Sequence, residues 1–341
     1  MSAEFRNENL LDFSQEANRS GQLEALALVR SQLGRRYDLV IDGERLRSDR
    51  TFHSINPSKR SETIGIFQQA TPEQASRAVD AAVRAFEAWK RFSPRHRADV
   101  LFRVAQNLRA RRLEMNAWMI LETGKTWPEA DADTAEAIDF CEFYGREALR
   151  YAESQPLIPI TGEINELHYI PLGAGAVIPP WNFPCAILTG MVTAAFVSGN
   201  TVMLKPSSDA PAVAAFVMSI LEESGLPPGV VNYLTGSGSV AGSALVKHPR
   251  TRFVAFTGSK EAGIQINEEA ARLAPGQKWI KRVIAEMGGK DFIIVDEDAD
   301  LEEALAGVIA SAFGYQGQKC SACSRLILHE KIYADFVERL V

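Results

Sequence analysis

Between Glu166 and Lys205 the chain carries no Asp, Glu, Lys or Arg, and Pro171, Pro179, Pro180 and Pro184 interrupt that stretch. The prolines exclude a continuous membrane span, because a broken backbone facing lipid would leave its polar groups unpaired. The stretch therefore has to be buried in protein. Gly175-Ala176-Val177-Ile178 reads as a core strand, residues 179–184 as a rigid loop, and residues 185–197 as an apolar helix ending near Gly199. The theme recurs downstream. Thr201-Val202-Met203-Leu204 is a strand ending at Lys205-Pro206, and residues 212–223 form a helix stopped by Gly225 and the Pro227-Pro228-Gly229 turn. Residues 230–234 and Phe253-Val254-Ala255-Phe256 are further strands, the latter followed by Thr257-Gly258-Ser259 and a helix to Leu273. This alternation predicts an α/β fold with a parallel, doubly wound sheet.

Upstream the pattern is helical. Thr71-Pro72-Glu73-Gln74 opens a helix with Thr as N-cap and Pro in the first position, and Ala78, Ala82, Ala85, Phe86 and Trp89 fall on one face. Further helices are expected over residues 94–123 and 129–151. At 341 residues two domains are expected, since single cores stop growing near roughly 250–300 residues. Net charge is −6 with both signs interspersed, and the only basic runs are short pairs such as Arg35-Arg36 and Arg111-Arg112. A nucleic-acid partner is therefore not expected. Cys141, Cys185, Cys320 and Cys323 are too few for a disulfide scaffold of this size and fit a reducing compartment. Residues 1–8 lack a basic n-region and an apolar h-region, so the expected localisation is cytoplasmic, with no membrane partner.

Chemistry concentrates near the C-terminus. Cys320 lies in Lys319-Cys320-Ser321-Ala322-Cys323, just after Gly317-Gln318, and follows Glu286-Met287-Gly288-Gly289-Lys290 by a gap that a strand and a helix would fill. A thiol is the best side-chain nucleophile near neutral pH, and a nearby carboxylate can activate the water that releases a covalent intermediate. The same CxxC spacing also permits a redox dithiol, while no second CxxC or His pair completes a zinc site. No metal is expected. Gly236-Ser237-Gly238-Ser239-Val240-Ala241 matches GxGxxA between a strand and a helix, but the acidic partner expected some way on is missing from residues 252–259. A second phosphate-binding candidate is Gly258-Ser259, where exposed N–H groups and a hydroxyl meet a helix start.

Taken in order, Pro180-Trp181-Asn182-Phe183-Pro184, Lys205-Pro206-Ser207, Phe256-Thr257-Gly258-Ser259, Glu286-Met287-Gly288-Gly289-Lys290 and Gly317-Gln318-Lys319-Cys320 resemble the NAD(P)-dependent aldehyde dehydrogenase superfamily over nearly the whole chain. Residues 5–8 with Asp12-Phe13, Glu136-Ala137-Ile138-Asp139-Phe140 on a helix, and residues 318–325 place the resemblance nearest the branch that oxidises L-glutamate γ-semialdehyde, formed from 1-pyrroline-5-carboxylate in proline catabolism. Broader aldehyde specificity, or a non-catalytic nucleotide-binding or assembly module, are the alternatives.

The resemblance implies an N-terminal helical part over residues 1–150 of a Rossmann-like NAD-binding domain, a partial oligomerisation hairpin over 151–170, the NAD-binding core over 171–285, and the start of an α/β catalytic domain from 286. It makes Cys320 the nucleophile, Asn182 with the Cys320 N–H the oxyanion donors, and Glu286 the base that activates water. Pro180, Trp181, Lys205, Ser208, Gly236, Gly258 and Ser259 would contact the dinucleotide. Many NAD-specific relatives carry Glu where this chain has Ser208, so NAD is expected with NADP possible. Glu136, Phe183 and Ser321 would line the pocket of a small-molecule substrate, Phe183 packing its methylene chain, Ser321 donating to its distal carboxylate, and Glu136 facing the α-ammonium or holding the wall. The family's catalytic domain continues beyond Val341, so the chain resembles a C-terminally truncated or split polypeptide, homo-oligomeric when complete. On that reading, 341 residues alone are expected to turn over slowly or not at all.

Overall fold

A computed structural model describes residues 4–341; residues 1–3, on which the leader reading partly rests, lie outside the described residues. The chain divides into two units. The first runs to Thr257 and includes Ile264–Ala285; the second comprises Gly258–Gly263 and Glu286–Val341.

In the first unit the elements are α1 (Glu16–Arg30), β1 (Arg35–Tyr37), β2 (Leu39–Ile41), β3 (Glu44–Leu46), β4 (Thr51–Ile55), β5 (Thr63–Gln68), α2 (Pro72–Trp89), α3 (Pro94–Ala110), α4 (Arg112–Thr123), α5 (Trp127–Ala152), β6 (Ala174–Ile178), α6 (Ala186–Val197), β7 (Thr201–Leu204), α7 (Pro211–Glu223), β8 (Val231–Tyr233), α8 (Ser243–Lys247) and β9 (Phe253–Gly258), followed by α9 (Lys260–Ala271) and β10 (Arg282–Met287). The main sheet has the order β10-β9-β6-β7-β8-β2-β3. Strand β6 pairs in parallel with both β7 and β9, and β7 pairs in parallel with β8. This is the doubly wound arrangement expected from the alternation, and β6 and β7 are buried along their whole length. Helix α2 packs on β6, β7 and β8, whereas α6 packs on β6 and β7 and is backed by α3 and α5.

Thr71 caps α2 through a complete capping box with Gln74, and Ala78, Ala82 and Trp89 of its apolar face are buried. The indole N–H of Trp89 donates to the Phe196 carbonyl at 2.8 Å, which ties α2 to the end of α6. At the register position opposite Phe253, Gly175 lies under that ring, and a Cβ there would sit 2.0 Å from it. Glycine in the middle of a central strand thus makes room for an aromatic side chain on the neighbour.

Three sequence expectations change. The helix expected over 94–123 is broken at Arg111, whose ψ of 23° leaves the helical region, giving α3 and α4. The N-terminal part is not purely helical: β1, β5 and β4 form a three-stranded sheet, and β2 joins the main sheet antiparallel to β8. Strands β1–β3 have three residues each, too short for a period-two pattern, but the β2–β3 turn is Asp42-Gly43 with both φ positive (56° and 78°). That pair is a strong local hairpin signal. Residues 153–173 contain no strand where a hairpin was expected; they carry a turn in which the Glu163 N–H donates to Ile160, and Ile158, Ile164 and Ile170 are exposed. Strands without a paired backbone do not form a ladder.

In the second unit, β11 (Asp291–Val295) and β12 (Cys323–Leu328) pair in parallel, with Asp291 opposite Cys323. Helices α10 (Leu301–Phe313) and α11 (Tyr333–Leu340) complete it around Val295, Val308, Ile332 and Phe336. The Asp300 carboxylate accepts from the Glu302 and Glu303 N–H groups and so starts α10. No described helix is long and apolar enough to cross a membrane.

Gly175→Ala is expected to cost about 1–3 kcal/mol by overpacking against Phe253. Thermal denaturation checks this, and an unchanged midpoint would contradict the packing described.

Candidate functional site

The loop after β6 carries Pro180, Trp181, Asn182 and Phe183 between a buried strand and a buried helix. Trp181 is exposed, while Pro180, Asn182 and Phe183 are half-buried. The Phe183 N–H donates to Asn182 Oδ1 at 3.0 Å, so the oxygen end of the carboxamide turns back to the chain and Nδ2 becomes the opposite, donating end. Two buried charges underlie this loop. Lys125 Nζ donates to the Asn182 carbonyl at 2.7 Å and lies 5.0 Å from the Phe183 ring centroid. Asp133 Oδ1 accepts from the Ala186 N–H at 2.6 Å, the start of α6. The pair itself is 3.6 Å apart, an ion pair beyond hydrogen-bond range. Burial lowers the Lys125 ammonium, an effect opposed by the charge of Asp133, and burial raises the Asp133 carboxyl to about 6.

The loops after β7 and β8 meet through Lys205. Its side chain is buried, and Nζ donates to the Pro206 carbonyl at 2.8 Å and the Gly236 carbonyl at 3.2 Å. Burial brings this ammonium down to about 8. Lys205 is therefore not a solvated strand-end lysine. Ser208 is exposed, and its hydroxyl donates to the same Gly236 carbonyl at 3.4 Å. An ammonium has three N–H donors, and two of those of Lys205 are used here. Gly236 has φ of 135°, and a Cβ there would meet the Ala70 backbone at 3.1 Å. The GxGxxA segment does not start an ordinary helix. Residues Gly238–Gly242 form a π-turn whose Ala241 and Gly242 N–H groups converge on the Ser237 carbonyl. Such turns are frequent at functional sites.

Glu122, at the end of α4, reaches across to the start of α7. Its carboxylate accepts from the Ala212 and Val213 N–H groups at 2.9 and 2.8 Å and from the Ser54 hydroxyl at 2.8 Å. It is a cap supplied from another helix, and it steadies the segment that follows Lys205 and Ser208. Burial raises this carboxyl to about 7. The sequence reading did not single out Glu122, Lys125 or Asp133. Charged residues flanking Gly124, a helix-ending glycine with φ of 71°, were the available signal for the first two. Nothing in the spacing signals Asp133. Glu136 is an exposed residue of α5 whose carboxyl is raised by the surrounding protein and then by Asp139.

In the second unit, Glu286 and Cys320 are both exposed. Each precedes one of two paired parallel strands, so the 286–290 and 318–322 segments meet at one edge of the β11–β12 ladder. Gly289 is packed against the Cys320 carbonyl: an added Cβ would lie 2.8 Å from that oxygen. Arg325 donates to the Lys290 carbonyl at 2.5 Å and Ser324 to the Asp291 carbonyl at 3.2 Å, closing the same edge. The approach to Cys320 is sharply turned. Tyr315, Gln316 and Gly317 all have positive φ (54°, 55° and 70°), and such a conformation costs roughly 1–3 kcal/mol at each non-glycine residue. Ser321 is exposed in the following turn, where the Ala322 N–H donates to Lys319 at 3.3 Å. Cys323 is half-buried with its thiol toward the Arg325 carbonyl at 3.4 Å. Ser259, beside Gly258, accepts from the Ala262 N–H and caps α9. No group of residues suited to holding a metal ion occurs among those described.

Two tests follow from these contacts. Gly289→Ala is expected to destabilise the second unit by about 1–3 kcal/mol and to alter iodoacetamide labelling of Cys320; unchanged denaturant unfolding together with unchanged labelling would refute the contact. Glu122 binds a proton in the folded protein between its unfolded value of 4.5 and about 7, so its stabilising contribution is greatest at low pH, falls through that window and is constant above it. The difference in thermal midpoint between wild type and Glu122→Gln should therefore narrow from pH 4.5 to 7 and then level. A gap independent of pH would show that the carboxyl is not raised.

The family model for the aldehyde dehydrogenase family matches residues 45–341. A curated protein of Geobacillus kaustophilus named 1-pyrroline-5-carboxylate dehydrogenase is 54% identical over 99% of this chain, which spans 65% of that protein's length. A crystal structure of 1-pyrroline-5-carboxylate dehydrogenase from Thermus with bound NAD has a TM-score of 0.97 at 50% identity, covering 100% of this chain and 66% of its own. Proline utilization A from Bdellovibrio bacteriovorus has a TM-score of 0.98 at 44% identity, covering 100% of this chain and 36% of its own. With that match over most of its length and that fold, the chain belongs to the aldehyde dehydrogenase family.

Proposed function

We propose that this protein takes part in the NAD-dependent oxidation of L-glutamate γ-semialdehyde, the open form of 1-pyrroline-5-carboxylate, to L-glutamate. The observation that carries the reading is the 54% identity, over 99% of the chain, to a protein named for that activity. Cys320 attacks the aldehyde carbon and forms a hemithioacetal. The Asn182 carboxamide and the Cys320 N–H stabilise the oxyanion, whose charge develops only during the reaction. Bound NAD supplies the acceptor for the hydride that leaves this carbon. Collapse leaves a thioester on Cys320, and Glu286 takes a proton from the water that releases the acid.

Lys205 and Ser208 hold the adenosine ribose, with Gly236 beside it and Pro180 and Trp181 along the cofactor; Gly258 and Ser259 receive the pyrophosphate. The N–H that Lys205 has left beside its bonds to Pro206 and Gly236 supports this placement. With Ser208 in place of a carboxylate, a 2′-phosphate meets less repulsion there, which leaves NADP as the second cofactor. Phe183 packs the methylene chain of the substrate, Ser321 donates to its distal carboxylate, and Glu136 faces the α-ammonium. Residues 1–150 and 171–285 serve the cofactor, residues from 286 the chemistry, and the exposed apolar side chains of 157–170 support assembly as a homo-oligomer in the cytoplasm.

The test is to incubate the protein with glutamate semialdehyde or propanal, with and without NAD, and follow NADH and the intact mass. Expected results are an acyl adduct on Cys320 that Cys320→Ala abolishes, a preference for the amino-acid aldehyde, and adduct accumulation in Glu286→Gln. Asn182→Ala should slow acylation by about 100-fold or more. NAD binding without any adduct would favour a non-catalytic module, and NADH formation undiminished in Cys320→Ala would overturn the mechanism.

A further inference from the structure

The buried ion pair beneath the Asn182 loop has no place in the chemistry just described. Lys125 is 4% and Asp133 0% exposed at the side chain. Burying two charges costs several kcal/mol each, and an apolar pair of similar volume is often as stable. The contacts indicate what this pair does in return. Lys125 touches both residues that matter in the loop, the Asn182 carbonyl and the Phe183 ring, while Asp133 takes the first N–H of α6. The loop is therefore gripped at its middle and at its exit by two groups from outside it. Those groups are themselves rigidly mounted: Gly124 ends α4 in the left-handed conformation, Thr126 caps α5 with a complete box, and Asp133 lies two turns into α5.

We propose that Lys125, with Asp133 as its counter-ion, is a positioning residue that fixes where the Asn182 carboxamide donates. The Asn182 carbonyl is held by Lys125 and its side-chain oxygen by the Phe183 N–H, so the peptide plane and the carboxamide are set together. A donor displaced by a fraction of an ångström loses much of its effect on a developing oxyanion. This deepens the proposed function and rests on Asn182 acting as that donor; the placement of the loop by Lys125 stands without it.

The experiment therefore has two readouts on the full chain, comparing wild type with Lys125→Met, Lys125→Arg and Asp133→Asn, and Lys59→Met as an exposed control. Hydrogen exchange by mass spectrometry needs no turnover. In Lys125→Met, exchange of the 182–187 segment should accelerate roughly tenfold or more, while β6 and α3 keep their protection. Lys125→Arg should recover part of this, and Asp133→Asn, which keeps an acceptor for the Ala186 N–H, should loosen the loop less than Lys125→Met. Acylation of Cys320 by glutamate semialdehyde with saturating NAD as the hydride acceptor is the second readout: its maximal rate should fall about tenfold or more in Lys125→Met with little change in the half-saturating aldehyde concentration. Unchanged exchange at 182–187, or exchange raised equally in β6 and α3, overturns the positioning role. Faster loop exchange with an unchanged acylation rate overturns its link to Asn182 chemistry. Absence of any Cys320 adduct in wild type removes the proposed function and leaves the exchange result to decide the positioning. If Lys125→Met does not fold, Lys125→Arg and Asp133→Asn decide by the same criteria.

Discussion

The first unit depends on the parallel ladder β9-β6-β7-β8. Its strands run the same way, so the loops that leave β6, β7 and β8 emerge at one end of the sheet, where open α/β folds bind ligands. The ladder continues past the strand ends: the Lys205 N–H donates to the Val177 carbonyl and the Leu234 N–H to the Leu204 carbonyl. Asn182, Lys205 and Gly236 thus start from fixed points. Gly175 keeps this ladder closed by leaving room for Phe253, so a single missing side chain in the core bears on the placement of every loop above it.

Beyond the ladder, loops have no repeating backbone partners, and buried charges serve instead. Lys205 holds Pro206 and Gly236, Lys125 holds Asn182, Asp133 holds Ala186, and Glu122 holds Ala212 and Val213. In each case a charged side chain is bonded to main chain at a loop or a helix start. A charge-assisted bond in a low dielectric is stronger than a neutral one, and leaving it unmade is correspondingly costly. These residues are therefore suited to giving loops one arrangement. Burial disfavours the charged form of all four, lowering the two ammonium groups and raising the two carboxyls. The second unit obtains order differently. Its 286–290 and 318–322 segments are set by close backbone packing at Gly289 and by two left-handed residues before Gly317, with few buried side chains.

Much of the fold could be read from the chain because its signals are local. The capping box at Thr71, the prolines of the 179–184 loop and the apolar runs of β6 and β7 each act within a few residues, and each appears where expected. Strands β1–β3 escaped because three residues carry no period and because β2 is recruited by β8, nearly two hundred residues away. At the break between α3 and α4, the Arg111 guanidinium pairs with Glu114 three residues on and with the distant Glu223.

The candidate site divides along the same line. Residue type and order singled out Cys320 and Glu286, because a thiol and a carboxylate in that arrangement carry chemistry whatever surrounds them, whereas Asn182 and Lys205 were picked out only by the family resemblance. Tertiary structure decided that Lys205 is buried on two carbonyls, that Gly289 abuts the Cys320 carbonyl, and that Glu122, Lys125 and Asp133 belong to the support of the loops. Residue identity determines what a side chain can do, but its environment and partners come from segments remote in sequence. Those are set only when the helices and the sheet close on one another.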